Sequence, residues 1–216
     1  MSEFADEGTS DKADLRRAML ASRPERSSAV ADSAVRAHLR ALLESLVESL
    51  PPDQRIIAGH VPMGGEPGGP ALVDLLSELG SELLLPILLD DLELDWTKYD
   101  GVLEPAGRGL REPPGRRLGT EEIARATAVV VPAIAVDRGG MRLGRGGGSY
   151  DRALARVPAG VLVVALLYDG ELIEAVPARP HDRRVGAVIT PGAGVTRLAQ
   201  EWTAPASMPH HWHSKS

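Results

Sequence analysis

Short apolar runs spaced along the chain between helical patterns constrain its fold more than any other feature. Val129-Val130-Val131, leading to Pro132, and the seven-residue run Val161–Leu167 are apolar throughout. Val185-Gly186-Ala187-Val188-Ile189 reads as the last strand of this series. Upstream, Ile56–Val61 reads as a buried strand and Leu83-Leu84-Leu85 as another, closed by Pro86. Leu92, Leu94 and Trp96 alternate with polar residues, the pattern of a half-buried strand. Helices are predicted between them: a short one capped by Ser10 or Asp11, and a longer one after Pro24 that ends before Pro51-Pro52. In the second, Val35, Leu39, Leu42 and Leu46 form one apolar stripe. Further helices are expected over Ala71–Leu79 and near Thr120–Ala126, while Gly101–Gly119, rich in Gly, Pro and Arg, reads as loop. Alternating strands and helices predict an α/β fold: a single domain with an open, mostly parallel sheet flanked by helices. The expected boundaries are a disordered leader at 1–10, the α/β domain at 11–199 and a disordered tail at 200–216. There is no internal repeat.

Composition narrows the function. A chain of 216 residues can bury one sizeable core. Its net charge of −6 does not favour nucleic acid or anionic membranes, so an anionic ligand needs a local basic site. No apolar run approaches the ~20 residues of a membrane span. The acidic start, Met1-Ser2-Glu3-Phe4-Ala5-Asp6-Glu7, lacks the blocks of a signal peptide. With no cysteine there is neither a disulfide framework nor thiol chemistry. A cytoplasmic protein is the expectation.

The local basic site is Arg142-Leu143-Gly144-Arg145-Gly146-Gly147-Gly148-Ser149-Tyr150-Asp151-Arg152. Consecutive glycines let successive backbone N–H groups face one concavity, and a helix beginning beyond them adds unpaired amides. Arg142 and Arg145 supply full charge, so a polyphosphate suits the loop. The plainer alternative is a solvated turn with flanking arginines. The loop is neither a P-loop, which ends in Gly-Lys-Ser/Thr, nor a GxGxxG dinucleotide fingerprint. In an open α/β sheet it falls at the carboxyl ends of strands, where ligands bind.

Taken with further segments in register, this loop resembles that of the 5-formyltetrahydrofolate cyclo-ligase (methenyltetrahydrofolate synthetase) family, whose loop runs Arg-Leu-Gly-x-Gly-x-Gly-x-Tyr-Asp. Lys12-Ala13-Asp14-Leu15-Arg16 resembles the N-terminal Lys-x-x-Leu-Arg element. Glu66, after the strand ending near Val61, stands where the family has a substrate-facing glutamate. Gly109-Leu110-Arg111-Glu112-Pro113 is similar to Gly-Ile-x-Glu-Pro, and Val131–Asp137 to the lead-in Val-Pro-Gly-x-x-Phe-Asp. His181-Asp182 with Val188-Ile189-Thr190 resembles the closing segment. The resemblance covers about residues 12–198. Ser149 departs from a position that is usually aromatic, and Gly147 stands where some members carry lysine.

The resemblance implies conversion of 5-formyltetrahydrofolate to 5,10-methenyltetrahydrofolate with ATP as co-substrate and Mg²⁺ as cofactor. It implies an ATP site of Lys12, Ala13, Asp14, Leu15, Arg16, Arg142, Leu143, Gly144, Arg145, Gly146, Gly147, Gly148, Ser149 and Tyr150. The folate would meet Val61, Glu66, Arg145, Gly146, Gly147, Gly148 and Ser149, with Arg145 and Tyr150 taking part in catalysis and Asp151 and Asp182 binding the metal. The partners implied are ATP and a reduced folate, with no nucleic acid or membrane, and a monomer is expected. Plainer roles stand beside these. Lys12 and Arg16 could be a solvated helical face, Asp151 a first-turn acid, and Asp182 a partner of Arg183 or Arg184. Tyr150 contacts a ligand ring or plugs the core. Glu112 is read as structural, His181 as a loop residue, Gly192-Ala193-Gly194 as a turn, and the histidines of His210-His211-Trp212-His213 as a poor zinc site. Two rival functions remain open: a non-catalytic folate- or nucleotide-binding relative, which the Ser149 departure suggests, and a sugar-phosphate enzyme on a similar scaffold.

Overall fold

A computed structural model of the chain describes residues 7–179 and 182–198. Its elements run α1 (Glu7–Arg26), α2 (Ala29–Val47), β1 (Ile56–Ala58), α3 (Leu72–Leu79), β2 (Glu82–Leu88), β3 (Leu94–Lys98), β4 (Glu104–Pro105), β5 (Arg111–Glu112), β6 (Ala128–Pro132), β7 (Ala135–Asp137), β8 (Arg142–Leu143), α4 (Ser149–Leu154), β9 (Leu162–Leu166), β10 (Leu172–Ile173), β11 (Ala187–Thr190) and β12 (Gly194–Arg197). A seven-stranded sheet has the order β12-β11-β9-β6-β1-β2-β3. Its five inner strands are parallel, and only the edge strands β3 and β12 run antiparallel to their neighbours. The expected open, mostly parallel sheet is therefore what forms.

The inner strands are apolar except for Glu82 at the start of β2 and Thr190 at the end of β11, because both faces of the sheet are covered. Val130, Val164 and Ile189 face Leu39, Leu42, Leu43 and Leu76 from α2 and α3. Val129, Val131, Ala165 and Val188 face the other way, among Trp96, Ile123 and Leu154. All four members of the α2 stripe are buried. Each such leucine contributes ~1.5–3 kcal/mol relative to leaving it in water. Ser28 caps α2, its Oγ accepting from the Ala31 amide at 3.1 Å. A smaller sheet, β10-β7-β8, carries Met141 and Leu143 against Met19 of α1.

Several expectations are corrected. The first helix begins at Glu7, ahead of Ser10 and Asp11, and continues through Pro24 to Arg26, so part of the expected leader is helical. It persists because Met19 and Arg23, four apart on one face, are both buried. β2 does not stop at Pro86. Bonds from Tyr99 N to Leu83 O and from Leu89 N to Glu93 O set the β2–β3 register so that Pro86, opposite Trp96, falls at a non-bonded pair. On its other side the ladder with β1 ends where Gly59 N donates to Leu84 O. The next donor in that register would be the amide Pro86 lacks, so the proline ends the pairing with β1 but not the strand.

Leu92 lies in a turn at φ 67° rather than in a strand, and β3 is buried on both faces instead of one. Segment 101–119 is what covers it: Asp95 Oδ1 accepts from Gly119 N at 2.7 Å, and the Thr97 hydroxyl donates to Arg116 O. That segment is not all loop, since β4 and β5 pair within it. The strand at Ala187–Thr190 is followed by one more, with Gly192-Ala193 in the turn before β12. The tail from 200 and the histidines at 210, 211 and 213 lie outside the described residues.

Candidate active site

The chain leaves β1 toward β2 on one side and returns to β6 on the other. This makes the carboxyl ends of β1 and β6 the switch point of the sheet, where a crevice must open. A cavity of about 460 Å³ opens there. Its wall includes His60 and Val61 just beyond β1, Leu88 at the end of β2, and Pro132, Ala133 and Ile134 at the end of β6. The glycine loop forms a second wall and α1 contributes Lys12 and Arg16. Gly148 enters α4 at φ 70°, a left-handed conformation that a side chain would strain.

Buried pairing holds the charged groups in place. Arg142, 5% exposed, donates from Nη2 to Asp151 Oδ1 at 3.0 Å and from Nη1 to Pro132 O at 3.4 Å. Its guanidinium carbon sits 5.8 Å from the centre of the Tyr150 ring, and its enclosed Nε has no hydrogen-bond partner among the described residues. Asp151 Oδ1 also accepts from Arg183 N at 3.2 Å. Lys12 Nζ meets Asp182 Oδ2 at 2.5 Å, and the same oxygen accepts from Arg179 N at 2.7 Å. Arg16 donates from Nε to Gly144 O at 2.8 Å, which fastens α1 to the glycine loop.

Glu66 is buried, and Arg145 reaches it from the loop. Arg145 Nε and Nη2 both donate to Glu66 Oε1, at 3.1 and 2.9 Å. Glu66 Oε2 accepts from Met63 N at 3.0 Å, while the Glu66 amide donates back to Met63 O, so the carboxylate closes its own turn. Tyr150 is half-buried against the second core cluster. Burial, and then the Glu66 charge, push its phenol far above the usual tyrosine range, with Arg142 opposing. The tyrosine therefore stays protonated as a hydrogen-bond donor. Burial holds the His60 imidazolium below its ordinary range, partly offset by Glu66 and by a 3.3 Å contact of Nδ1 with Val130 O.

Of the residues expected at the site, Lys12, Arg16, Val61, Glu66, the whole of Arg142–Asp151 and Asp182 line this one cavity. Ala13, Asp14 and Leu15 do not. Asp14 forms an exposed pair with Arg17, and Leu15 packs on the third core cluster. Asp182 pairs with Lys12, where sequence had offered Arg183 or Arg184. Glu112, read as structural, accepts from Leu88 N at 2.9 Å through Oε1 and also lines the cavity. His181 lies outside the described residues. Sequence reasoning missed His60, Met63, Ala133, Ile134 and Arg108 as cavity residues. The signal for His60, Ala133 and Ile134 was their place just past strands whose carboxyl ends face the crevice.

Among the described residues no cluster of three or more acidic or histidine side chains could hold a metal alone. Asp151 and Asp182 are hard oxygen donors on one cavity, and Mg²⁺ commonly takes one or two carboxylates with phosphate oxygens and water. That donor set fits the ion when it arrives with a polyphosphate.

Comparison with known proteins bears on this geometry. Residues 8–191 match the model of the 5-formyltetrahydrofolate cyclo-ligase family. A protein of Mycolicibacterium smegmatis described as 5-formyltetrahydrofolate cyclo-ligase is 44% identical over 193 residues, spanning 87% of this chain and 97% of that one. Among solved structures, 5,10-methenyltetrahydrofolate synthetase of Aquifex aeolicus superposes with a TM-score of 0.63 at 28% identity, covering 94% of this chain and 99% of that one. The 5,10-methenyltetrahydrofolate synthetase of Mycoplasma pneumoniae, at 19% identity, shares the fold with a TM-score of 0.64 over 84% of this chain and 99% of that one. With the family model spanning nearly all of the described domain, the chain belongs to the 5-formyltetrahydrofolate cyclo-ligase family.

Proposed function

We propose that the protein converts 5-formyltetrahydrofolate and ATP to 5,10-methenyltetrahydrofolate, ADP and phosphate, in a magnesium-dependent reaction. One observation carries this reading beyond family membership. Lys12, Arg16, Arg142 and Arg145 converge on the glycine loop of a cavity that also has an apolar wall and a buried carboxylate, Glu66. The basic part suits a polyphosphate; the apolar part with Glu66 suits a ring bearing N–H groups.

The chemistry asks for positioning and charge neutralisation. The formyl oxygen is a poor leaving group until it takes the γ-phosphoryl group of ATP, with ADP released. N-10 then forms a bond to the activated carbon and loses its proton, and the C–O bond breaks to expel phosphate. Lys12, Arg16 and Arg145 would neutralise charge gathering on the phosphoryl oxygens, and the loop amides would orient them. Arg145, held by Glu66, links the two halves of the cavity, so that folate bound at Glu66 and phosphate at Arg145 lie side by side. Tyr150, kept protonated, can donate to either. Asp151 and Asp182 would hold the magnesium ion, which supplies further neutralisation of the phosphates.

The test is a cyclisation assay with and without ATP, following the near-ultraviolet band of the methenyl product. ATP-dependent growth of the band is expected. A flat trace with nucleotide binding intact would reject the ligase reading in favour of a binding protein.

A further inference from the structure

His60 is a buried titratable group to which the proposed chemistry gives no task. It follows β1 directly at the switch point, is 3% exposed, and lines the cavity within the electrostatic reach of Glu66. Its Nδ1 lies 3.3 Å from Val130 O on β6. A backbone carbonyl can only accept, so that contact requires the proton on Nδ1. In the neutral ring Nε2 is then a bare acceptor, and no hydrogen bond engages it among the described residues. The surrounding side chains explain why such an atom matters. Lys12, Arg16, Arg142 and Arg145 only donate. Both Glu66 oxygens already accept, one from Arg145 and one from Met63 N, so part of the acceptor capacity it offers a folate is spent, and Asp151 and Asp182 face cations. A reduced pterin presents several N–H groups and needs acceptors.

We infer that His60 is a substrate-binding residue whose Nε2 accepts a hydrogen bond from a folate N–H. This rests on the proposed folate reaction and names a residue which that reading did not use. Protonating the ring would turn the acceptor into a donor and weaken folate binding. Burial favours the neutral ring, and Glu66 is the charged group that opposes this.

Two variants separate this role from a merely structural one. His60→Asn places an amide nitrogen near the Nδ1 position, keeping donation to Val130 O while removing Nε2. His60→Gln places an amide oxygen near Nε2. In titrations with 5-formyltetrahydrofolate and, separately, ATP, H60N is expected to weaken folate binding about tenfold, the scale of one hydrogen bond. ATP affinity should hold, and H60Q should recover most of the loss. Wild-type folate affinity should also decline on acidification below the ordinary histidine value, about 6.5, with no such decline in H60N. Wild-type folate affinity in H60N, or equal losses for both ligands with a lowered melting temperature, would overturn the inference. Failure of the wild-type protein itself to bind 5-formyltetrahydrofolate would bring down the folate reading and this inference with it.

Discussion

The backbone amide of Gly68 donates to Asp32 Oδ1 at 3.1 Å, tying the first turn of α2 to the loop that carries Glu66. The Tyr168 hydroxyl donates to the same oxygen at 2.8 Å, and Arg36 Nη1 donates to Gly68 O at 2.6 Å. The approach is close: at Gly69, φ 60°, a Cβ would sit 2.7 Å from Asp32 Oδ2. None of Asp32, Arg36 and Tyr168 lines the cavity, so the position of its buried carboxylate is set from behind.

Asp32→Ala strands the Gly68 amide and leaves the Tyr168 hydroxyl with Ser27 Oγ, 3.1 Å away, as its partner. A loss of about 1–3 kcal/mol is expected in urea unfolding, the usual cost of leaving such an amide unsatisfied. Folate affinity should fall more than ATP affinity, because the loop that loosens is the one bearing Glu66. Asp32→Asn, which keeps one oxygen acceptor, should lose less on both counts. Equal affinities in all three proteins would show that the clamp does not reach the site.

The pair of Arg23 and Glu171 should dominate the stability of α1 docking. Arg23 Nε and Nη2 meet the two Glu171 oxygens at 2.8 Å each, with side chains only 6% and 0% exposed. Removing one partner leaves the other charge buried, so Arg23→Ala should cost about 3–5 kcal/mol in the denaturation midpoint analysis. The double variant Arg23→Met with Glu171→Gln removes both charges and keeps an acceptor for Tyr168 N. It should recover most of that loss, and a double variant no better than Arg23→Ala would contradict the desolvation argument.

All three tyrosines have raised pKa values in the folded chain. Burial leads in each case: Tyr168 is pushed up to about 12, Tyr150 goes further, and Tyr99 also rises, with Asp74 adding to the effect. In the unfolded chain they titrate near the ordinary value, about 10. Between those values the native state holds protons that the unfolded state has lost, so unfolding free energy must fall as pH rises. The stabilisation is complete below about pH 10 and is lost as pH climbs through the folded values. A native spectrophotometric titration should therefore show little phenolate until pH is well above 10, with a normal transition in urea. A normal native transition would place the rings in water.

Legibility from sequence followed the range of the interactions. The glycine loop, its helix and the Arg142–Asp151 pair lie within one stretch, and the inner strands announce themselves because both faces are apolar. Expectation failed where a distant segment decides. Asp95 and Thr97 read as a solvent face until segment 101–119 covers them. Pro86 read as a terminator because only the register with β3 shows that its amide is not needed for that pairing. Lys12 and Asp182 are 170 positions apart, and Arg145 and Glu66 are 79 apart. Composition and periodicity carry no information about such partners, so individual residues were placed at the site but their pairing was not.

The Lys12–Asp182 contact at 2.5 Å leads to the last prediction, since the reading proposed here assigns the lysine to phosphate and the aspartate to magnesium. In the free protein each occupies the other. Bringing ATP in must draw Lys12 away from Asp182, and the carboxylate left behind would repel the phosphates unless a cation replaces the lysine. Metal and lysine thus exchange partners. Asp182→Asn removes that repulsion and frees Lys12, so ATP should bind several-fold more tightly without metal, on the order of 1 kcal/mol for one partly screened charge. The same change removes a metal ligand, so the magnesium concentration needed for half-maximal turnover should rise. Calorimetric titration of ATP in chelator and a magnesium series of the cyclisation assay would read the two effects separately. Tighter metal-free binding with an unchanged magnesium requirement would confine Asp182 to holding the lysine and leave the metal to Asp151.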